Sequence, residues 1–414
     1  MKQRRIKLRH LLLLPLLVAI VALSGCGLWS KLFNRGENLQ PPKPLTEFTA
    51  SVQVQQLWST RIGDGAGRSG VRLQPAYADG KLYVIATNGK IEALDATNGK
   101  EIWEQSTRVG NGIWPFKRKK PGPDARYAGG PSVSGDLLVV GTLDGHVYAM
   151  DATTGKRLWS AEVDDEVISP PAIDSGTVYV RTNSGYVYAF DANSGARKWV
   201  NDQANVPLLS LRGNGPLLAT HGVVMFGTDD GNVEVLRGDT GAIQWKLPIN
   251  KGLGRTDIQK LNDADDTLQL DGTTLYATAY HGELVAIDAA QGQLLWDRPF
   301  SSYVGVAVAD NELIGVDSNS LVWAFSKNGG GDLWKQDALE YHWLTAPTIQ
   351  SQYAVLGGVE GYVFWLDLSD GKLAARVRLS KDAIRARPVV NGDTVYVEDV
   401  KGHVAAYRIS SDHP

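Results

Sequence analysis

One phrase recurs eight times in this 414-residue chain, and a repeat of about 40 residues restricts the possible folds more than any other property of the sequence. Its clearest copy is Gly145-His146-Val147-Tyr148-Ala149-Met150-Asp151-Ala152-Thr153-Thr154-Gly155-Lys156-Arg157-Leu158-Trp159. With the Asp as reference, the copies fall at Asp95, Asp151, Asp191, Arg237, Asp288, Ser326, Asp367 and Arg408, separated by 56, 40, 46, 51, 38, 41 and 41 residues. Six residues before each stand Gly89, Gly145, Gly185, Gly231, Gly282, Ser320, Gly361 and Gly402. Eight residues after stand Trp103, Trp159, Trp199, Trp245, Trp296, Trp334 and Ala375. A period held in phase over the whole chain means units that stack or close into a ring.

Within a unit, short apolar runs such as Leu137-Leu138-Val139-Val140 and Val147-Tyr148-Ala149-Met150 are separated by turns bearing Gly and Asp, the pattern of antiparallel strands joined by tight hairpins. The reference Asp can accept hydrogen bonds from amides just ahead of it, and the Gly four residues on supplies the positive φ that closes the corner. Four strands in about 40 residues make a propeller blade, which buries its faces only against neighbouring blades. The in-phase Trp is predicted to fill the gap between blades. The eighth unit lacks its Trp strand, whereas Trp58 in Val52-Gln53-Val54-Gln55-Gln56-Leu57-Trp58 precedes the first unit without a blade of its own. Pairing the two removes both open edges. The expected fold is therefore all-β, an eight-bladed propeller over 51–410 in which an N-terminal strand carrying Trp58 completes the last blade. Arg237, Ser326, Arg408, Ser320 and Ala375 depart from the phrase, and such departures read as ordinary decay of a repeat.

Residues 1–25 have the layout of an export signal, with Lys2, Arg4, Arg5, Lys7 and Arg9 ahead of an apolar run from Leu11 to Leu23. The sole cysteine, Cys26, follows Leu23-Ser24-Gly25, a quartet that resembles the bacterial lipobox. That resemblance implies cleavage before Cys26, covalent diacylglycerol and N-acyl lipid on it, and sorting to the outer membrane because Gly27 rather than Asp follows. Several acyl chains make a durable anchor. Residues 26–50, with Pro41, Pro42 and Pro44, read as a tether. Removing the signal takes away five bases and no acids, so the net charge moves from −3 to −8; nothing in that balance invites nucleic acid. A single thiol allows no internal disulfide, so closure rests on strand pairing and packing.

The longer intervals locate insertions near 104–130, 200–215 and 246–268, each after a Trp strand and therefore all on one rim of the ring. The second and third flank the fourth blade and should be neighbours. The second holds Val206-Pro207-Leu208-Leu209-Ser210-Leu211-Arg212-Gly213, apolar residues beside a guanidinium, which fit either a protein contact surface or a satellite core under the loop. The third holds Leu261-Asn262-Asp263-Ala264-Asp265-Asp266; the EF-hand Gly and terminal Glu are absent, so a solvated acidic loop or a contact for a basic partner is expected rather than a metal site. Lys117-Arg118-Lys119-Lys120 in the first insertion, beside Trp114 and Phe116, fits a solvated basic loop more readily than a contact with anionic lipid or an acidic partner. No Ser-His-Asp order, zinc spacing, phosphate loop or nucleophile elbow stands out, and no catalytic residue is expected.

Taken together, the lipobox at Cys26, the Trp58 latch, the eight units and the two neighbouring loops resemble the BamB family, the propeller lipoproteins of the machinery that inserts β-barrel proteins into the bacterial outer membrane. Asn205-Val206-Pro207-Leu208-Leu209-Ser210-Leu211-Arg212-Gly213 is similar to that family's most distinctive segment, which implies that Leu209, Leu211 and Arg212 contact the periplasmic POTRA domains of BamA. The segment from Asp257 to Asp265 is similar to its companion and implies the same for Asp263 and Asp265. The resemblance implies a non-enzymatic scaffold of the BAM complex, facing the periplasm, with no cofactor beyond the lipid on Cys26 and with unfolded outer-membrane proteins as further partners. The blade phrase also resembles that of the quinoprotein alcohol dehydrogenases, which bind pyrroloquinoline quinone and calcium. Those enzymes place an adjacent cysteine pair over the cofactor, and this chain has one thiol.

Overall fold

The computed structural model describes residues 40–67, 69–106, 125–202, 215–249, 263–264 and 267–410, and every regular element among them is a strand. All the strands belong to the unit Lys43–Pro414, distinct from the unit Met1–Pro42. They form eight four-stranded sheets. Blades one to seven are continuous in the chain, at 76–106, 127–162, 172–201, 218–248, 269–299, 306–336 and 348–378. The eighth is assembled from both ends. Val389–Asn391, Thr394–Glu398 and His403–Ile409 supply three strands, and Val54–Arg61 is the fourth, outermost one. It runs antiparallel to His403–Ile409 with Val54 opposite Ile409 and Arg61 opposite His403. The innermost strands of blades eight and one touch, so the ring is closed as the sequence predicts.

Burial follows position in the blade. The second strand of blade three, Thr177–Arg181, is buried along its whole length, because neighbouring blades cover both of its faces. The outermost strand of blade two, Arg157–Glu162, is exposed except around Trp159. Beside that Trp the ladder shifts register: Ala149 faces Trp159, but Met150 faces Arg157. The same shift recurs next to the tryptophans of the other blades and of the latch. One extra residue there bends the strand and re-aims the ring.

Each of these tryptophans reaches the next blade rather than its own. The indole Nε1–H of Trp58 donates to the Ala96 carbonyl at 2.9 Å, Trp103 to Ala152 at 3.0 Å and Trp159 to Ala192 at 2.8 Å. Trp199, Trp245, Trp296 and Trp334 repeat the contact with Gly238, Ala289, Lys327 and Leu368. In every case the acceptor follows the reference position of the next unit. The corner glycine of that unit lies under the same indole. Gly99 has φ +69°, and a Cβ there would come within 2.5 Å of the Trp58 ring. At Gly155, Gly195, Gly241, Gly292, Gly330 and Gly371 the corresponding distance to the preceding blade's Trp is 2.4–2.7 Å. The glycine is therefore required twice, for its backbone angle and for the space it leaves.

The eighth joint, between blades seven and eight, carries Ala375 in place of Trp and is built differently. Trp365, fully buried in blade seven, sets its edge against Tyr407 with centroids 6.2 Å apart. Its Nε1–H donates to Gln350 Oε1 at 2.7 Å, and Gln350 Nε2–H in turn donates to the Asp393 carbonyl of blade eight at 2.6 Å. An interior tryptophan has replaced the peripheral one. Close by, residues 43–50, read from the sequence as the end of the tether, instead lie along blades six and seven. The Lys43 amide donates to Glu340 O at 2.9 Å, the Lys43 carbonyl meets His342 Nε2 at 2.8 Å, Leu45 joins the core, and Arg376 stacks on Phe48. Two apolar side chains and the hydrogen bonds of Lys43 dock this proline-rich stretch.

Truncating Trp58→Ala removes a buried aromatic at the joint between the chain ends and is expected to cost about 3–5 kcal/mol; Trp58→Phe, which loses chiefly the bond to Ala96, should cost about 1 kcal/mol. Denaturant unfolding of both variants checks the order. A second pair isolates the glycine. Gly80 has φ +74° with nothing within 4 Å of an added Cβ, so Gly80→Ala suffers backbone strain alone. Gly99→Ala suffers that strain plus collision with Trp58, and its melting temperature should fall further; equal losses would remove the steric role of the corner glycine.

Candidate docking surface

In an antiparallel blade the connection from the outermost strand to the next innermost strand always crosses the same face of the ring. The stretches 107–124, 203–214 and 250–262 all lie in such connections. Leu209, Leu211, Arg212, Asp265, the basic run Lys117–Lys120 and Cys26 fall outside the described residues. The bases of the two connections around blade four are described. The first leaves after Asn201, whose Nδ2–H donates to the Gly241 carbonyl at 2.8 Å, and returns at Leu217, which is buried between blades three and four. The second leaves after buried Ile249 and returns through Asp263 and Ala264. Both bases thus border blade four on one face, as the spacing of the repeats predicts.

Asp263, placed in the contact surface by the family resemblance, is only 4% exposed. Its carbonyl accepts the Tyr280 N–H at 2.8 Å, and the Ala264 N–H donates to the Thr228 carbonyl at 3.1 Å. The residue therefore pins the returning loop across blades four and five. Between blades three and four, fully buried Arg181 extends from the end of a blade-three strand, donates to the Gly227 carbonyl at 3.0 Å, stacks over Phe226 and lies 3.9 Å from the buried carboxylate of Asp229. On the outer strands, Lys246 bridges to Glu234 at 2.6 Å and Asp230 at 3.5 Å. Buried charge held this way fixes geometry more than it stabilises. The sequence phrase gave no hint of Arg181 or Asp229, because neither occupies a repeat position.

A Ser, an Asp and a His do meet elsewhere, in blade eight. Asp399 Oδ2 accepts from the Ser380 hydroxyl at 2.6 Å and lies 2.7 Å from His403 Nδ1, while Oδ1 accepts the amides of Lys401 and His403. The serine bonds the carboxylate, not the imidazole, so the wiring is that of a braced turn rather than of an activated nucleophile. Next to it Glu398 is buried with no hydrogen bond to either carboxyl oxygen among the described residues. Burial, reinforced by the charge of Asp399, pushes its pKa well above the ordinary 4.5.

A ring of sheets closed by its own N-terminal strand, with its elaborated connections on one face, defines a class: the eight-bladed propellers built from quinoprotein-like repeats. The family profile described as "Outer membrane protein assembly factor BamB" matches residues 18–118, 107–336 and 318–411. The BamB protein of Xanthomonas campestris is 41% identical over 402 residues, covering 95% of this chain and 97% of that one. The chain belongs to the BamB family. The crystal structure of BamB from Moraxella catarrhalis superposes with a TM-score of 0.75 at 26% identity, covering 86% of this chain and all of the other. A quinohemoprotein alcohol dehydrogenase from Comamonas testosteroni superposes at 0.65 with 13% identity, which is a likeness of fold alone.

For Glu398 the sign of the pH effect is fixed by its raised pKa. The folded state prefers the protonated acid, so its contribution to stability is greatest below the unfolded pKa near 4.5 and is lost as pH rises above it. Glu398→Gln, neutral at every pH, should therefore melt higher than wild type at pH 7.5, with the advantage shrinking toward pH 4. A difference independent of pH would show that the carboxyl is not buried as an acid.

Proposed function

We propose that this protein is a non-enzymatic scaffold that docks on the periplasmic POTRA domains of BamA. As a member of its family it is an outer-membrane-associated assembly factor working with the BAM complex. Lipid on Cys26 confines it to the inner face of that membrane and raises its effective concentration near a membrane-embedded partner. Leu209 and Leu211 supply buried area at the interface, and Arg212 and Asp265 orient it through charge. Asp263 serves from below, holding the acidic loop at a fixed height. The observation that carries this reading is that the two elaborated connections border one blade on one face of a rigid ring, and their sequences are similar to the family's characteristic segments. No cofactor beyond the lipid takes part. Unfolded outer-membrane proteins are the clients of the assembled complex.

Replacing Leu209, Leu211 and Arg212 together with alanine should reduce co-purification of BamA from envelope membranes at least about tenfold, since anchors of this kind carry about 2 kcal/mol or more each. The variant's melting temperature should stay at the wild-type value. Wild-type recovery of BamA would remove the site assignment.

A further inference from the structure

The axis of the ring opens on the loop-bearing face into a cavity of about 450 Å³, within the size range of small-molecule sites. Its wall is built in phase. Two residues ahead of the innermost strand, most blades place neutral residues such as Gln74, Pro170, Thr267 and Ala346, whereas blade eight places Arg387. Arg385, Arg72 and Arg126 also line the mouth, and Glu166 is the only acid there among the described residues. Several arginines rest on carboxylates: Arg237 on Asp239 at 2.8 Å, Arg408 on Asp393 at 3.0 Å and, at the mouth itself, Arg126 on Asp144 at 2.6 Å. The guanidinium groups of Arg385 and Arg387 have no hydrogen-bond or ion-pair partner among the described residues. Pro388 restricts the backbone of Arg387 to extended geometry. Burial lowers the pKa of Arg387 to about 10, and no described residue forms an ion pair with it.

A partly buried cation without a counter-charge, at a concave site ringed by further cations, is an arrangement that an anion completes. We propose that the channel mouth binds one small oxyanion, a phosphate or a carboxylate, through Arg387 and Arg385, with the field of Arg72 adding to theirs. Gly215, Pro216 and Thr267, at the returning ends of the connections around blade four, also line this cavity, but the proposal does not depend on the assignment of the docking residues. Guanidinium groups suit it because their donors match two oxygens of one ligand at once.

The test uses the full-length lipoprotein in detergent, titrated calorimetrically with inorganic phosphate and, separately, with citrate, at constant ionic strength maintained with sodium chloride. Saturable binding of at least one of the two, at one per chain, is expected, and the tighter anion identifies the source chemistry. Arg387→Gln should weaken that binding about tenfold or more. Arg387→Lys, which keeps the charge but not the fork, should fall between. In chloride alone Arg387→Gln should melt no lower than wild type, because it removes an uncompensated charge; a merely structural arginine would give the opposite. Absence of saturable binding by both anions, or undiminished binding by Arg387→Gln, would overturn the proposal.

Discussion

The indole-to-carbonyl contact between successive blades is the interaction on which the ring depends. A blade has two apolar faces, and the second and third strands are buried only because neighbours cover them. What fixes the angle between neighbours is the outer edge. There the Trp of one blade lies on the glycine of the next and donates to the adjoining carbonyl, from Trp58 on Ala96 through Trp334 on Leu368. One bond and one ring face, repeated at a constant phase, set a constant rotation per blade. A rotation that did not divide the circle would leave two apolar blade faces uncovered; contact between blades eight and one, with Val54–Arg61 completing blade eight, shows that it does divide it.

The eighth joint shows how much freedom this scheme leaves. With Ala375 at the peripheral position, the seam is held from inside by Trp365 against Tyr407 and by Gln350 reaching the Asp393 carbonyl. Residues 51 and 52 add to it, both amides bonding the Ala374 carbonyl, at 3.0 and 3.4 Å. The seam lacking the standard contact is thus the one next to the entering chain, where extra polypeptide is on hand to cover it. At 375, then, other contacts compensate for the missing indole.

Much of this architecture is legible in the sequence because period and phase are properties of a string. The blade count, the role of Trp58 and the strand edges at which insertions fall all follow from spacing. Phase, however, does not say which copy touches which. Gly99 and Trp103 belong to one repeat, yet Gly99 packs on Trp58 and Trp103 packs on Gly155; the contacts run between repeats, invisible in any single copy. Residues outside the phrase are harder still. Asp263 reads as one of several loop acids, and only the structure shows it buried, with its carbonyl bonded to blade five and the next residue, Ala264, bonded to blade four. Arg181 and Asp229 lie in otherwise ordinary strand and turn positions. The docking of Leu45 and Phe48 depends on a groove formed by two blades, which a proline-rich composition does not announce.

Rigidity and location together explain why such a ring is suited to present a surface. Loops are mobile unless their bases are fixed, and both connections around blade four spring from anchored residues: Asn201, bonded to the Gly241 carbonyl, and buried Leu217 on one side, buried and hydrogen-bonded Ile249 and Asp263 on the other. The buried Arg181, held to the Gly227 carbonyl and to Phe226, stiffens the floor between blades three and four. Ordering those bases in advance lowers the conformational entropy lost on binding, which for side chains and loops at an interface amounts to about 0.5–1.5 kcal/mol per immobilised side chain. The arginine-lined mouth opens on the same face, since every residue leading into an innermost strand sits there. The ring therefore concentrates its chemically distinctive groups on one side and leaves the other to short hairpins, an asymmetry that follows from strand direction alone.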